Sequence, residues 1–193
     1  MEKQQRTMIY AFLSRIFSDV PDRFLIEDLA RNEELLQLIG NETLNYFKFH
    51  DLKKIEDELN VDYSSMFLLH TQPIESFVLD AKQEALVGLQ NPVMEFYFRH
   101  GFEIDMNQTD IVSPDHLGIE FGFMQMVVFR DEFQTQREFL ETHLLKWVIP
   151  YLIGMKSMAS TPFFRELFDF IIEFLVADYN YLLEREAGEK DRV

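Results

Sequence analysis

The chain has 193 residues, of which 47% are apolar and 20 are phenylalanine, so it can bury a sizeable core and is not a disordered chain. It contains no cysteine, which excludes a disulfide framework, a thiolate metal site and a cysteine nucleophile. The formal net charge is −16, from 34 acidic and 18 basic residues; such a surface disfavours nucleic-acid binding and attracts a basic partner.

The N-terminal segment, MEKQQRTMIYAFLSRIF, lacks the apolar run and the cleavage-site pattern of a signal peptide. Nowhere are there about 18 consecutive apolar residues, so the sequence predicts no membrane-spanning segment. We therefore expect a cytoplasmic protein without stable membrane insertion.

Apolar residues recur at helical spacing along most of the chain. Pro21 opens a second helical pattern, which Gly40 closes as a C′ residue. A short pattern follows around residues 44–47, and a longer one runs from about residue 51 to 69. The first helix, before these, has a stripe formed by Met8, Ile9, Phe12, Leu13, Ile16 and Phe17.

The helical pattern breaks at residues 70–90, which predicts a loop, a short helix and a hinge between two helical halves. Pro92 starts the next helix, and His100-Gly101 ends it. A further helix runs from Pro114 to about Arg130.

The C-terminal third predicts two long helices. The first has a regular apolar stripe from Phe139 to Leu152 with Pro150 inside it, and Thr161-Pro162 caps and starts the second. The charged end of the chain is expected to fray. Because no segment alternates with a period of two, the sequence predicts an all-α fold, a single-domain bundle (1–193) of roughly eight to ten helices.

Common catalytic and cofactor motifs are absent from the sequence. The five histidines show no Glu-x-x-His or His-Glu-x-x-His spacing, and no phosphate-binding glycine loop or Gly-x-Ser-x-Gly elbow is present. The sequence therefore predicts no metal and no cofactor, and it favours binding over catalysis.

The segment SPDHLGIE is the first candidate site. Ser113 is a natural N-cap, Asp115 suits the positive end of the helix dipole, and His116 is predicted in the first turn with Glu120 on the same face. Two polar residues that open an apolar helix are costly if buried unpaired and useful if they meet a ligand.

A second candidate surface combines aromatic and methionine side chains with a carboxylate in the loop that follows. Such a surface suits a peptide that is partly apolar and partly basic. Aromatic residues at helical spacing are more often core, so both interpretations stay open. The residues are Tyr63, Met66, Phe67, Pro73, Glu75 and Ser76.

Four motifs in this order, DYSSMF, PIESF, PDHLGIEFGFM and FLETHLLKWVIP, resemble the TorD/DmsD family of redox-enzyme maturation chaperones. The resemblance runs from about Asp62 to Asp178. It implies a cytoplasmic, all-helical chaperone without catalytic activity. Such a chaperone binds the twin-arginine signal peptide of a molybdopterin-dependent oxidoreductase and holds the precursor back from export until its cofactor is inserted, and some members protect the apoprotein itself.

The resemblance also implies a peptide-binding site at the residues that match the family's motifs. Tyr63 stands where some members have tryptophan, which leaves the client enzyme open. The matching residues are Asp115 and His116 (the Asp-His pair), Tyr63, Met66 and Phe67 (an aromatic-rich helix), and Pro73, Glu75 and Ser76 (a proline-containing loop).

Physical chemistry agrees with this role. Arginine guanidiniums pair bidentately with carboxylates, so Asp115, Glu120 and Glu75 are candidate anchors, while the aromatic helix would dock the apolar part of the leader. His116 is expected to orient Asp115 rather than to titrate.

Two other functions remain open. The protein would act as an assembly factor if it bound the mature catalytic subunit through its acidic face, independently of the leader. It would act as a nucleotide hydrolase if Asp115, His116 and Glu120 were catalytic. Both a monomer and a dimer swapped at the hinge are compatible with the sequence.

Overall fold

The structure, a computed structural model, describes residues 2–80, 86, 90–104, 111 and 113–190. It is 80% helical, and the described residues form ten continuous helices and no strand, which confirms the all-α prediction. None of the described helices is long and apolar enough to cross a membrane. The segments are α1 (Lys3–Ser18), α2 (Arg23–Arg31), α3 (Glu33–Ile39), α4 (Asn41–Phe49), α5 (Leu52–Tyr63) continued by the π-helix π1 (Ser64–His70), α6 (Glu75–Leu79), α7 (Pro92–Arg99), α8 (Leu117–Phe129), α9 (Phe133–Phe139) continued by π2 (Leu140–Leu144) and α10 (Leu145–Lys156), and α11 (Pro162–Lys190).

The chain divides into two compact units. Unit 1 comprises Met1–Ser18, Pro73–Ile149 and Leu175–Val193, and unit 2 comprises Asp19–Gln72 and Pro150–Phe174. One division falls inside the region predicted as a hinge. Residues 81–85 and 87–89 of that region lie outside the described residues, so the hinge and the single-domain organisation stay predictions.

In unit 1, α1 packs closely along α8 because small residues face each other. The Ser14 hydroxyl donates to the Gly118 carbonyl at 2.7 Å. A Cβ at Gly118 would lie 2.6 Å from Ser18 Oγ and 3.0 Å from the Ser18 backbone nitrogen, so this position requires glycine. Phe121 of α8 fills the remaining space and contacts the rings of Tyr10 and Phe17.

A buried ion pair joins the two ends of the chain in unit 1. The Arg6 guanidinium donates to both carboxylate oxygens of Asp178, and it also donates to Gln136 Oε1 at 2.7 Å. The Tyr10 hydroxyl donates to the same carboxylate at 2.8 Å. Because every partner is hydrogen-bonded, the buried charges are compensated.

Unit 2 uses two carboxylates to cap helices. Asp62 accepts from the backbone N–H groups of Ser160 and Thr161 just before α11. Glu166 accepts from Thr43 N at 2.7 Å at the start of α4. Its carboxylate occupies the space of a Cβ at Gly40, which explains the glycine there.

Several local predictions need correction. Gly40 has an extended backbone (φ 170°), so it is not the left-handed C′ residue expected, and the second pattern is two helices that meet at Asn32. Met8 is 55% exposed, because the buried face of α1 runs through Arg6 and Tyr10 instead. The charged end does not fray at once, because α11 continues to residue 190. The predicted starts at Pro92 and Thr161-Pro162 and the internal Pro150 are confirmed.

Candidate functional site

Two short segments of unit 1 lie side by side at the start of α8. Ile74 and His116 form an isolated antiparallel bridge. The Leu117 N–H donates to the Pro73 carbonyl at 2.8 Å, and the Glu75 N–H donates to the Asp115 carbonyl at 3.0 Å. The structure therefore brings together the two predicted groups Pro73–Ser76 and Asp115–Glu120.

Asp115 is buried, and each of its two carboxylate oxygens accepts a hydrogen bond. One carboxylate oxygen accepts from the Ser76 N–H at 2.8 Å, at the start of α6, and the other accepts from the Ser113 hydroxyl. Ser113 is thus not the N-cap of α8, because its hydroxyl is used by the acid two residues later. Asp115 stabilises the junction between the two segments, and its direct contact with a ligand stays a prediction.

His116 is the N-cap of α8 and precedes the helix. Its Nδ1 accepts from the Gly118 N–H at 3.2 Å, so the ring is neutral at that nitrogen. Burial lowers the pKa of His116 to about 4, and the neighbouring Asp115 carboxylate only partly opposes this. Among the described residues no hydrogen bond joins the ring to Asp115, so the predicted orienting role is not observed.

Glu75 and Glu120 lie at the centre of the site. His143 Nδ1 is 3.0 Å from one carboxylate oxygen of Glu75 and 3.1 Å from the other, and it donates to this acid because an ionised carboxylate only accepts. The Trp147 indole N–H donates to Glu120 Oε2 at 3.2 Å. His143 and Trp147 are four residues apart and reach from π2 and α10, so the irregular helix presents both to the two acids.

Burial, reinforced by like charges, determines the electrostatics of the site. Burial raises the pKa of the Glu120 carboxyl well above its usual range, and the nearby Glu75 and Asp115 carboxylates raise it further. Burial and the same acids also raise the pKa of Tyr97, whose buried hydroxyl has no hydrogen-bond partner among the described residues. In the described part of the chain, no lysine or arginine pairs with these three acids. We call Glu75, Asp115 and Glu120 the acidic junction.

The second candidate surface lies partly elsewhere. Tyr63, Met66 and Phe67 belong to unit 2, and each is less than 5% exposed. The Phe67 ring contacts those of Phe164 and Phe168, so these side chains are core residues of that unit. Their part in peptide binding stays a prediction.

Sequence reasoning missed three members of the site. His143 and Trp147 stand four residues apart in the motif FLETHLLKWVIP, a spacing that puts both on one face of a helix. They lie on an apolar stripe typical of core residues, so the motif alone did not mark them as part of a site. Tyr97 gave no signal at all, because only the packing of α7 brings it near the acids.

Comparisons with known proteins place this chain in a family of chaperones. The family model described as nitrate reductase delta subunit, a TorD-type chaperone family, matches residues 32–151. Chaperone protein TorD from Vibrio atlanticus is 24% identical over 217 aligned positions, which cover 96% of this chain and 96% of TorD. The chain therefore belongs to the TorD/DmsD-type family of redox-enzyme maturation chaperones, and the resemblance predicted from its motifs is confirmed.

Proposed function

We propose that this protein is a cytoplasmic chaperone for a molybdopterin-dependent oxidoreductase. It binds the twin-arginine signal peptide, the apo form of the enzyme, or both, and holds the precursor back from export until the cofactor is inserted. Membership of the family and the similarity to a protein named chaperone TorD support this proposal.

The acidic junction is the observation that carries the leader-binding part of the proposal. Three carboxylates lie close together, and no lysine or arginine of the described chain neutralises them. An arginine of the leader would supply the missing positive charge and several N–H donors. The net charge of −16 would draw a cationic leader towards the chain.

The residues of the junction have different roles in this proposal. Glu75 is the anchor, because its residue is 8% exposed, whereas Asp115 and Glu120 have at most 1% of their surface accessible. Asp115 positions Glu75 and Ser76, to whose backbone it is hydrogen-bonded. Glu120 acts through its electrostatic interaction with Glu75.

Titration calorimetry with a twin-arginine leader peptide tests the proposal. A copy with both arginines changed to lysine should bind more weakly, because lysine cannot form the bidentate contact. Glu75→Gln should weaken binding of the arginine peptide at least about tenfold, the size expected when a charged hydrogen bond of 1.5–3 kcal/mol is lost.

Glu103→Gln is the matched control. It makes the same change of charge at an exposed position of unit 1, and it should leave the affinity nearly unchanged. If no leader binds while the mature catalytic subunit does, the protein is an assembly factor that acts independently of the leader.

A further inference from the structure

The surroundings of Glu120 favour a protonated carboxyl. The residue is 0% exposed; its Oε2 atom accepts from the Trp147 N–H, and its Oε1 atom is buried and has no hydrogen-bond partner among the described residues. An ionised carboxylate buried with so few donors is costly, so the neutral acid is the stable form. The nearby Glu75 carboxyl adds like charge and favours the neutral form of Glu120 further.

Among the described residues, no lysine or arginine forms an ion pair with Glu75 or Glu120 to replace the proton. α7 contributes the Tyr97 hydroxyl, and α10 contributes the Trp147 N–H. π2 contributes His143, which already donates to Glu75. The segment before α8 contributes the acid Asp115 and the neutral His116.

On α1, which packs along the other side of α8, no lysine or arginine forms an ion pair with a described acid of the junction either. At the start of α8, α1 presents the hydroxyls of Ser14 and Ser18. Its buried cation, Arg6, is already bound to Asp178. Glu120 therefore holds a proton, and the Tyr97 hydroxyl and Glu120 Oε1, which have no hydrogen-bond partner among the described residues, mark a place where further hydrogen bonds can form.

We propose that Glu75 and Glu120 form a guanidinium subsite that holds a proton when it is empty and releases that proton when an arginine of the client binds. This inference rests on the proposed function and adds a dependence on pH to it. When the leader binds, an arginine guanidinium replaces a proton at the subsite. A guanidinium beside Glu75 adds a positive charge in a low-dielectric environment, which favours the ionised form of Glu120. The proton passes from the Glu120 carboxyl to the buffer.

The exchange makes the affinity depend on pH. Between the pKa of Glu120 in the bound state and its higher pKa in the free state, affinity should rise by up to about tenfold for each unit of pH, because each binding event releases up to about one proton. A subsite that stayed ionised throughout would show no such dependence.

Titration calorimetry of the full chain with a twin-arginine leader peptide tests the exchange. At about pH 7, the binding enthalpy is measured in two buffers that differ in their enthalpy of protonation, and the affinity is measured again at about pH 6 and about pH 8. We expect an enthalpy difference that corresponds to proton release, and an affinity that rises with pH. In Glu120→Gln, which resembles the protonated acid in shape and charge, both effects should disappear while the peptide still binds.

The control variant and a direct measurement keep the result interpretable. Glu103→Gln should retain the parent's proton release. If Glu120→Gln does not fold, carbon-13 NMR of the glutamate carboxyls in the parent should still show one carboxyl that becomes ionised when peptide is added. Binding without proton release would overturn this inference alone, whereas absence of leader binding at every pH would overturn the proposed function and this inference with it.

Discussion

The imidazole of His116 is both a helix cap and a partly buried titratable group. Capping requires an unprotonated Nδ1, since this atom accepts from the Gly118 N–H. Protonation would remove the cap and bury a charge, and the pKa of His116 is accordingly lowered to about 4. The residue therefore stabilises the fold only while it is neutral.

This gives a prediction for stability in acid. A histidine with a lowered pKa contributes stability that is present above its unfolded pKa of about 6.5 and is lost as the pH falls towards the folded pKa, up to about 3 kcal/mol in total. His116→Asn keeps a capping oxygen without a titratable group, so it should lose less stability over that range. Urea unfolding at several pH values checks this, with His70→Asn, at an exposed histidine, as the control; equal losses in His116→Asn and the parent would contradict it.

Glu120 predicts the opposite trend. Its pKa is raised in the folded chain, so its contribution to stability is fully present below the unfolded pKa and is lost as the pH rises through the folded pKa. Glu120→Gln stays neutral at every pH, and at alkaline pH it should be more stable than the parent. Thermal unfolding across the pH range measures this, and a constant difference between the two proteins would show that Glu120 does not titrate.

The sequence predicted which residues form the acidic junction, but it did not predict how they are arranged. The residues PDH and PIES were named from their motifs, but their pairing across a bridge is a tertiary contact that no local pattern encodes. Ser113 followed by Pro114 had every local mark of a helix start. Ser113 nevertheless does not cap α8, because its hydroxyl donates to Asp115 and His116 is the N-cap instead.

At the level of helices, the close contact of α1 with α8 predicts a strong effect at Gly118. Gly118→Ala places a methyl group 3.0 Å from a backbone nitrogen, which must force the helices apart. We expect a loss of about 1–3 kcal/mol in the free energy of unfolding, despite alanine's better helix propensity.

Gly154→Ala in α10 is the matched control for this prediction. No atom lies within 4 Å of the added methyl group, so this variant should gain up to about 1 kcal/mol from helix propensity. Chemical denaturation measures both, and equal changes in stability would show that the contact between α1 and α8 is not close-packed in solution.

Two helix starts followed from local chemistry because a cap and a proline coincide, at Asn91-Pro92 and Thr161-Pro162, whereas Ser113-Pro114 does not start a helix. The π-helical turns π1 and π2 were not predictable, because their sequences continue the apolar pattern of the helices that they join. Arg6 and Asp178 were also missed, since each looks like an ordinary surface residue until the other is placed beside it.

For the whole molecule, the net charge predicts how binding depends on salt. A chain of net charge −16 attracts a cationic leader over long range, and salt screens that attraction. Association should slow as the ionic strength rises, whereas dissociation should change little, because it depends on the contacts at the site. Stopped-flow measurements test this, and an association rate that is independent of salt would contradict it.

The buried pair of Arg6 and Asp178 also has a consequence for biosynthesis. The two residues are 172 positions apart, so at about 5–20 residues per second a ribosome makes the second roughly 10–30 seconds after the first. During that interval α1 has a cation on its inner face and no acid to meet it. Unit 1 can be completed only after Asp178 has been translated, so throughout that interval the unit that contains the acidic junction stays unfinished.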